Sequence, residues 1–208
     1  MTLNLESAAV ALRDNLTAAE VAIRAAHDAL AAMVEQPPAS SMRPGYCAPV
    51  GNVLERGDIW PGEWVDATGY LRYYAYGWHT GADLNLNAPG WDSDAHRPVY
   101  SIAAGEVYAV RTGVSGWGTV ICILHADCIS RYAHCENIEV REGAQVLMGD
   151  YLGNIGNAEG RYPYHLHFDI ARLSARILDY PLDWPGQSKE RVERDYYDPA
   201  LFLRGVIE

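Results

Sequence analysis

The sequence predicts a mainly β fold, an antiparallel sandwich or partly open barrel, carried behind an N-terminal helical extension. From about residue 46 the chain breaks into short apolar segments closed by Gly, Asp or Asn. Many short strands with little helix imply two packed layers or a barrel. Residues 4–34, by contrast, carry an unbroken helical period. The predicted boundaries are 1–36 for the helical extension, 37–52 for a proline-rich linker or arm, and 53–208 for the β domain.

In the first segment Leu5, Ala9, Leu12, Leu16, Ala19, Ile23, Ala26, Leu30 and Met33 alternate four and three apart. That spacing sustains an apolar seam over about four heptads. Thr17 with Glu20 forms a capping box, at which the helix could restart. Such a stripe packs either on the β domain or on a partner chain; self-association through it is the expectation. Next comes "EQPPASSMRPGYCAPVGN", whose prolines at 37, 38, 44 and 49 suit a linker or an arm laid across the next domain. The runs "VYSIAAGEVYAV", "GTVICILH", "SRYAHC" and "HLHFDI" then follow as strands.

Composition narrows the function classes. The 208 residues are 49% hydrophobic with a formal charge of −11. That charge argues against nucleic acid, whose phosphates demand clustered Lys and Arg. No apolar run reaches the roughly 20 residues that a membrane span requires. Glu6, Arg13, Asp14 and Glu20 interrupt the N-terminus, so no conventional secretory signal is expected. The four cysteines, Cys47, Cys122, Cys128 and Cys135, form no C-x-x-C pair, which disfavours a thiolate zinc module. Their pairing stays open. No G-x-S-x-G signature supports serine hydrolysis.

Chemistry concentrates in the histidines. In "YPYHLHFDI", residues 162–170, a strand period of two puts His165, His167 and Asp169 on one face. Leu166, Phe168 and Ile170 take the other, a core face. Upstream, "GWHTGADLNL" places His79 and Asp83 four apart, with Gly81 favouring a loop. Imidazole and carboxylate are both good zinc ligands, and a catalytic zinc keeps three protein ligands with one open position. His134 stands in "SRYAHC"; His27, His96 and His125 are expected to be surface or structural residues.

Taken together, "HTGAD", "SRYAH" and "HLHFD" resemble the lysostaphin-like zinc endopeptidases, the M23 or LytM-type peptidases of peptidoglycan. The resemblance runs over residues 76–170, and more loosely over 46–203, where "YYDPALFL" is similar to the family's closing segment. It implies one zinc per chain held by His79, Asp83 and His167, with His134 and His165 as non-ligand catalytic histidines. It implies hydrolysis of stem or cross-bridge peptides in peptidoglycan, at the cell wall or from a phage-like particle. A non-catalytic relative that binds cell wall or activates another hydrolase is the alternative.

Three stretches depart from the family pattern. In "NAEGRYPYH" both Tyr162 and Tyr164 are expected to crowd one rim of the groove. "LNLNAPGWDSDAHRP" is long and carries Asp92 and Asp94, a groove-edge loop or a second cation site. The aromatic run "GEWVDATGYLRYYAYGW" is either core packing or a wall for substrate.

Overall fold

Alternating apolar strands closed by glycine turns build one branched antiparallel sheet, seen in a computed structural model that describes residues 42–52 and 59–207. The predicted N-terminal helix, and self-association through it, lie outside the described residues. Strand β1 (Trp64–Asp66) is followed by a short hairpin of β2 (Tyr73–Tyr74) and β3 (Gly77–Trp78), then by β4 (Ala82–Leu86) and β5 (Pro98–Tyr100). The long strands β6 (Gly105–Val114), β7 (Gly118–Leu124) and β8 (Ile129–Glu136) form a meander. After β9 (Gln145–Val146) and β10 (Tyr151–Ile155) the chain returns as β11 (Leu166–Ala171) and closes with β12 (Tyr196–Tyr197).

Strand order in the large sheet is β1-β4-β11-β8-β7-β6-β9, with β10 joining β5 to β8 and β12 lying against β11. Every pairing in it is antiparallel. Helix is confined to a 3₁₀ turn and two short helices among the described residues. These are α1 (Lys189–Asp195), capped by the Ser188 side chain, and α2 (Pro199–Leu203), capped by Asp198.

Strand alternation sorts the two faces. Leu166, Phe168 and Ile170 of β11 are fully buried in the main apolar cluster with Leu84, Tyr132 and Ile121. Burying a large apolar side chain contributes about 1.5–3 kcal/mol. Tyr46, Ala48 and Val50 enter the same cluster, so this stretch crosses the core surface as an arm. Its backbone is tied down where Cys47 N–H donates to the Ile102 carbonyl and Tyr100 N–H to the Pro49 carbonyl. Phe202 and Leu203 of "YYDPALFL" close the cluster, with the Tyr46 and Phe202 rings 5.4 Å apart. None of the four cysteines forms a disulfide; all are buried.

The opposite face carries Asp83 and Asn85 from β4 and His167 and Asp169 from β11. In register, His167 lies directly opposite Asp83 on one side and Ala133 on the other. A regular β8 would then send Ala133 and Cys135 to the site face and His134 to the core. The pairing of β7 with β8 slips by one residue between Thr119/Ile121 and Cys135/Tyr132, a bulge on β8. His134 sits in it with φ of 63°, and Cys135 joins the core instead.

Gly81 lets β4 approach β11: a Cβ there would meet the Phe168 carbonyl oxygen at 2.1 Å and the Asp169 Cα at 2.8 Å. Backbone cannot yield as a side-chain tip can. Gly81→Ala is expected to destabilise the fold by about 1–3 kcal/mol, the cost of overpacking. Thermal unfolding followed by circular dichroism checks it, with Gly90→Ala as control, since a Cβ at that exposed position meets nothing nearer than the Ser93 Oγ at 4.0 Å and no left-handed φ is required.

Candidate metal centre and active site

His79 leaves the end of β3 in an extended stretch before β4, and its ring is fully buried. Its Nε2 lies 3.1 Å from Asp83 Oδ1 and 3.1 Å from His167 Nδ1. His167 Nδ1 is 3.0 Å from the same Asp83 oxygen. Three ligand atoms thus form a nearly equilateral triangle, and among the described residues this is the one His/Cys/Asp/Glu group that could share an ion.

Counting protons shows what the triangle wants. His79 Nδ1 faces the Gly69 carbonyl at 3.3 Å, and a carbonyl only accepts, so Nδ1 carries the proton and Nε2 a lone pair. His167 has a carboxylate oxygen at each nitrogen, Asp169 Oδ2 at 3.1 Å from Nε2 and Asp83 Oδ1 at 3.0 Å from Nδ1; in the neutral ring with its proton on Nε2, Nδ1 is bare. Two imidazole lone pairs and a carboxylate then converge with no hydrogen between them. Such an arrangement repels itself unless a cation sits at its centre. Ligand bonds of about 2.0–2.2 Å to a tetrahedral zinc set ligand atoms roughly 3.3–3.5 Å apart, slightly wider than this triangle. The residues fit the ion.

Without a metal the same demand for positive charge falls on a proton. Burial disfavours the charged form of His167, but hydrogen bonds to Asp169 and Asp83 outweigh it and push its pKa up to about 9. Burial would raise the Asp83 carboxyl too, yet His167 and His79 beside it hold it well below the usual carboxylate range. Behind Asp83, its backbone N–H donates to Asp66 Oδ1 at 3.1 Å; burial lifts the Asp66 carboxyl to about 6.

The two remaining histidines of the predicted set stand beside the triangle. His134 and His165 have ring centroids 4.6 Å apart, and His165 Nε2 lies 3.9 Å from Asp83 Oδ1. His134 Nδ1 donates to the Trp117 carbonyl at 3.1 Å, and His165 Nδ1 to the Pro163 carbonyl at 2.8 Å. Both therefore keep Nε2 as a proton acceptor. Burial, together with His165 and His167 nearby, holds the His134 pKa well below that of a free imidazole.

A cavity of about 540 Å³ opens over these groups, walled by Tyr74, Tyr76, Trp117, Tyr162 and Trp184. The aromatic run before His79 is thus divided. Trp64 belongs to the core and Tyr70 packs against the second apolar cluster, whereas Tyr74 and Tyr76 face the cavity. Of the two expected rim tyrosines only Tyr162 lines it; the Tyr164 ring packs on His96 at 4.9 Å and against the core. Tyr164 keeps the parity of Leu166 just ahead of β11, whereas Tyr162 follows directly on the 158–161 turn and leaves that alternation. His96 is exposed beside Glu136, and buried His125 bonds Ser130 at 2.8 Å, both away from the cavity. Asp94 is buried and accepts from Asn85, so Asp92 and Asp94 do not assemble a second ion group.

Sequence reasoning assigned no role to the groups behind the site. Asp169 Oδ2 accepts from Thr80 Oγ1 at 2.8 Å and from Arg131 at 2.5 and 3.1 Å, as well as from His167. The Arg131 guanidinium stacks 4.5 Å from the Trp117 ring centroid. Arg131, a charged residue in the middle of β8, was the available signal.

Comparison with known proteins gives a consistent family. The profile of peptidase family M23 matches residues 78–179. Lipoprotein NlpD of Yersinia enterocolitica is 32% identical over 75 residues, which are 36% of this chain and 76% of that protein. Cell division protein DipM of Caulobacter vibrioides is 32% identical over 97 residues, 46% of this chain and 15% of that protein. The chain spans 15%, 36% and 26% of the length of three curated relatives that it matches. The solved structure of lysostaphin matches with a TM-score of 0.54 at 21% identity, covering 78% of this chain and 55% of that one, a likeness of fold.

Two outcomes follow from the proton count. The His167 pKa of about 9 exceeds the unfolded value, so its proton stabilises the metal-free fold fully below about pH 6.5 and is lost as pH rises through 9. A cation must displace that proton, so apparent zinc affinity should climb about tenfold per pH unit up to about pH 9 and then level. Chelator competition at pH 6 to 10 measures it. Asp169→Asn leaves the Arg131 guanidinium buried against a neutral amide and should cost about 3–5 kcal/mol in urea unfolding.

Proposed function

The chain belongs to peptidase family M23, and from that premise we propose that it is a zinc-dependent metalloendopeptidase that hydrolyses peptide bonds of peptidoglycan, in stem or cross-bridge peptides. The observation that carries this reading is the convergence of the His79, Asp83 and His167 lone pairs beside two further histidines in one cavity. In this proposal His79, Asp83 and His167 hold one zinc per chain. Zinc bound there would supply Lewis acidity, polarising a scissile carbonyl and acidifying water.

Peptide hydrolysis needs a proton taken from the attacking water and a proton delivered to the departing amine. In this reading His134 and His165 do both, supported by the Nε2 acceptor that each keeps while a backbone carbonyl fixes its Nδ1–H. The low His134 pKa keeps that imidazole neutral and ready to accept; once protonated it is a strong acid toward the amine. Only a protonated Nε2 can donate a hydrogen bond. The histidine that has taken the water's proton is therefore the one able to stabilise the developing oxyanion, before it passes that proton to the amine. The aromatic walls exclude water and give an extended peptide flat apolar surfaces. Lipoproteins among the relatives support action at the cell envelope.

Metal analysis coupled to digestion of purified peptidoglycan, with products read by mass spectrometry, tests the proposal. His134→Ala and His165→Ala should each lose about 10²–10⁴-fold in turnover while keeping one zinc per chain. Zinc lost in step with activity would place that histidine among the ligands. A zinc-loaded chain that binds peptidoglycan without cutting it would instead be a wall-binding or hydrolase-activating relative.

A further inference from the structure

Arg161 is the one arginine or lysine lining the cavity. The chain carries 27 acidic residues against 16 basic ones, and some of its arginines close an ion pair with a carboxylate. Arg43, Arg111, Arg131, Arg191 and Arg194 all do. Arg161 is exposed and does not: its charge is flanked by the side chains of Tyr162 and Tyr76, and no carboxylate among the described residues lies within ion-pair distance. Its Nε donates to the Tyr162 hydroxyl at 3.2 Å, and its guanidinium lies 5.8 Å from that ring centroid.

The backbone beneath it is built to hold this position. Ala158, Glu159 and Gly160 have φ of 52°, 60° and 82°, two of them non-glycine residues in a left-handed conformation that carries a steric cost. Gly160 N–H donates to Asn157 Oδ1 at 2.8 Å and Tyr162 N–H to the Asn157 carbonyl at 3.2 Å, closing the turn. Ala158 is buried against Gly118, where an added Cβ would come within 2.8 Å of the Ala158 Cα. The turn is pinned to the sheet.

From the turn the Tyr162 ring reaches over the proposed catalytic pair, 5.1 Å from the His134 ring and 6.0 Å from that of His165. The Arg161 guanidinium is therefore within roughly 11 Å of His134, about three residues of extended peptide at about 3.3 Å each. A planar fork of N–H donors with no acid to satisfy it matches a carboxylate. Elsewhere the strongly negative chain repels such a group.

We infer that Arg161 anchors a carboxylate of the peptide, two or three residues from the bond that is cut, and so selects acidic peptides over their amides. This rests on the peptidase reading of the cavity, but its test does not depend on turnover. Synthetic stem peptides are prepared with the side-chain carboxyl, the C-terminal carboxyl, both or neither converted to the amide. Calorimetric titration of each into the zinc-loaded full chain gives the affinities, and cleavage is followed in parallel.

The native chain should bind one acid form about five- to twentyfold more tightly than its amide, and the form that matters identifies which carboxyl is held. Arg161→Gln should bring acid and amide to the same affinity, and Arg161→Lys, with charge but no fork, should recover part of the difference. Equal binding of acid and amide by the native chain overturns the anchor, even if every peptide is cleaved. A preference that persists in Arg161→Gln overturns it as well. Absence of cleavage with the preference intact would sink the peptidase reading and leave the anchor standing.

Discussion

A guanidinium shielded from water needs an acceptor for every N–H, and Arg131 finds all of its acceptors inside the protein. Nε and Nη2 reach Asp169, Nη2 also reaches the Tyr196 hydroxyl, and Nη1 reaches the carbonyls of Pro181 and Asp183. These partners come from β11, β12 and the segment that carries Trp184. The one side chain therefore ties the back of the triangle to two walls of the cavity, since Trp117 lies flat beside it. Ion pairs of this kind return little net stability against apolar packing, but breaking one leaves a buried charge uncompensated. What the pair secures is position. Asp169 Oδ2, held by Arg131 and Thr80, is the atom that fixes the proton on His167 Nε2 and turns Nδ1 toward Asp83.

Sheet register does the rest. Asp83 and His167 are 84 residues apart in sequence yet directly opposed across β4 and β11, so pleat geometry alone sets their side chains on one face. A slip of one residue would exchange the site face with Leu166, Phe168 and Ile170, and the core that those residues fill forbids it. Gly81 permits the close approach on which the register depends. On the far side of the cavity two loops clasp each other in a similar way. Trp78 N–H donates to the Gly186 carbonyl at 2.7 Å, and the Trp184 indole donates to the Tyr76 carbonyl at 3.0 Å. The aromatic walls are set before any peptide arrives.

Period two made the faces of β11 legible from sequence, including which residues of "YPYHLHFDI" enter the core. Gly81 pointed away from a helix between His79 and Asp83, but the loop expected there is short, and Asp83 already belongs to strand β4. His134 was not legible from the pattern. Strict alternation on β8 sends it to the core, and only resemblance to a family placed it at the site; the bulge that turns it round is a backbone event with no side-chain signature. Arg131 was missed because a lone charge within a strand looks like a solvent-facing position until its partner, 38 residues away, is known. Trp184 belongs to no motif and meets His79 and His167 only through long-range folding, with ring centroids 6.4 and 6.0 Å apart. Local pattern locates ligands on strands; it does not locate the groups that aim them.

The triangle itself opposes folding, because it brings two lone pairs and a carboxylate together where His79 and His167 are buried. In the metal-free chain a proton on His167 relieves that opposition, but one proton can satisfy only one of the three contacts at a time. A divalent ion satisfies all three. The frame must therefore be rigid enough to hold the unfavourable arrangement while it waits, and the buried Arg131–Asp169 pair and the Gly81 contact supply that rigidity from behind the site. His134 and His165 add two more acceptors at the edge of the same field. On each, the Nδ1–H is held by a backbone carbonyl, which leaves Nε2 turned to the cavity. Charge demand at the centre and acceptors at the rim are thus both oriented by hydrogen bonds that lie outside the cavity.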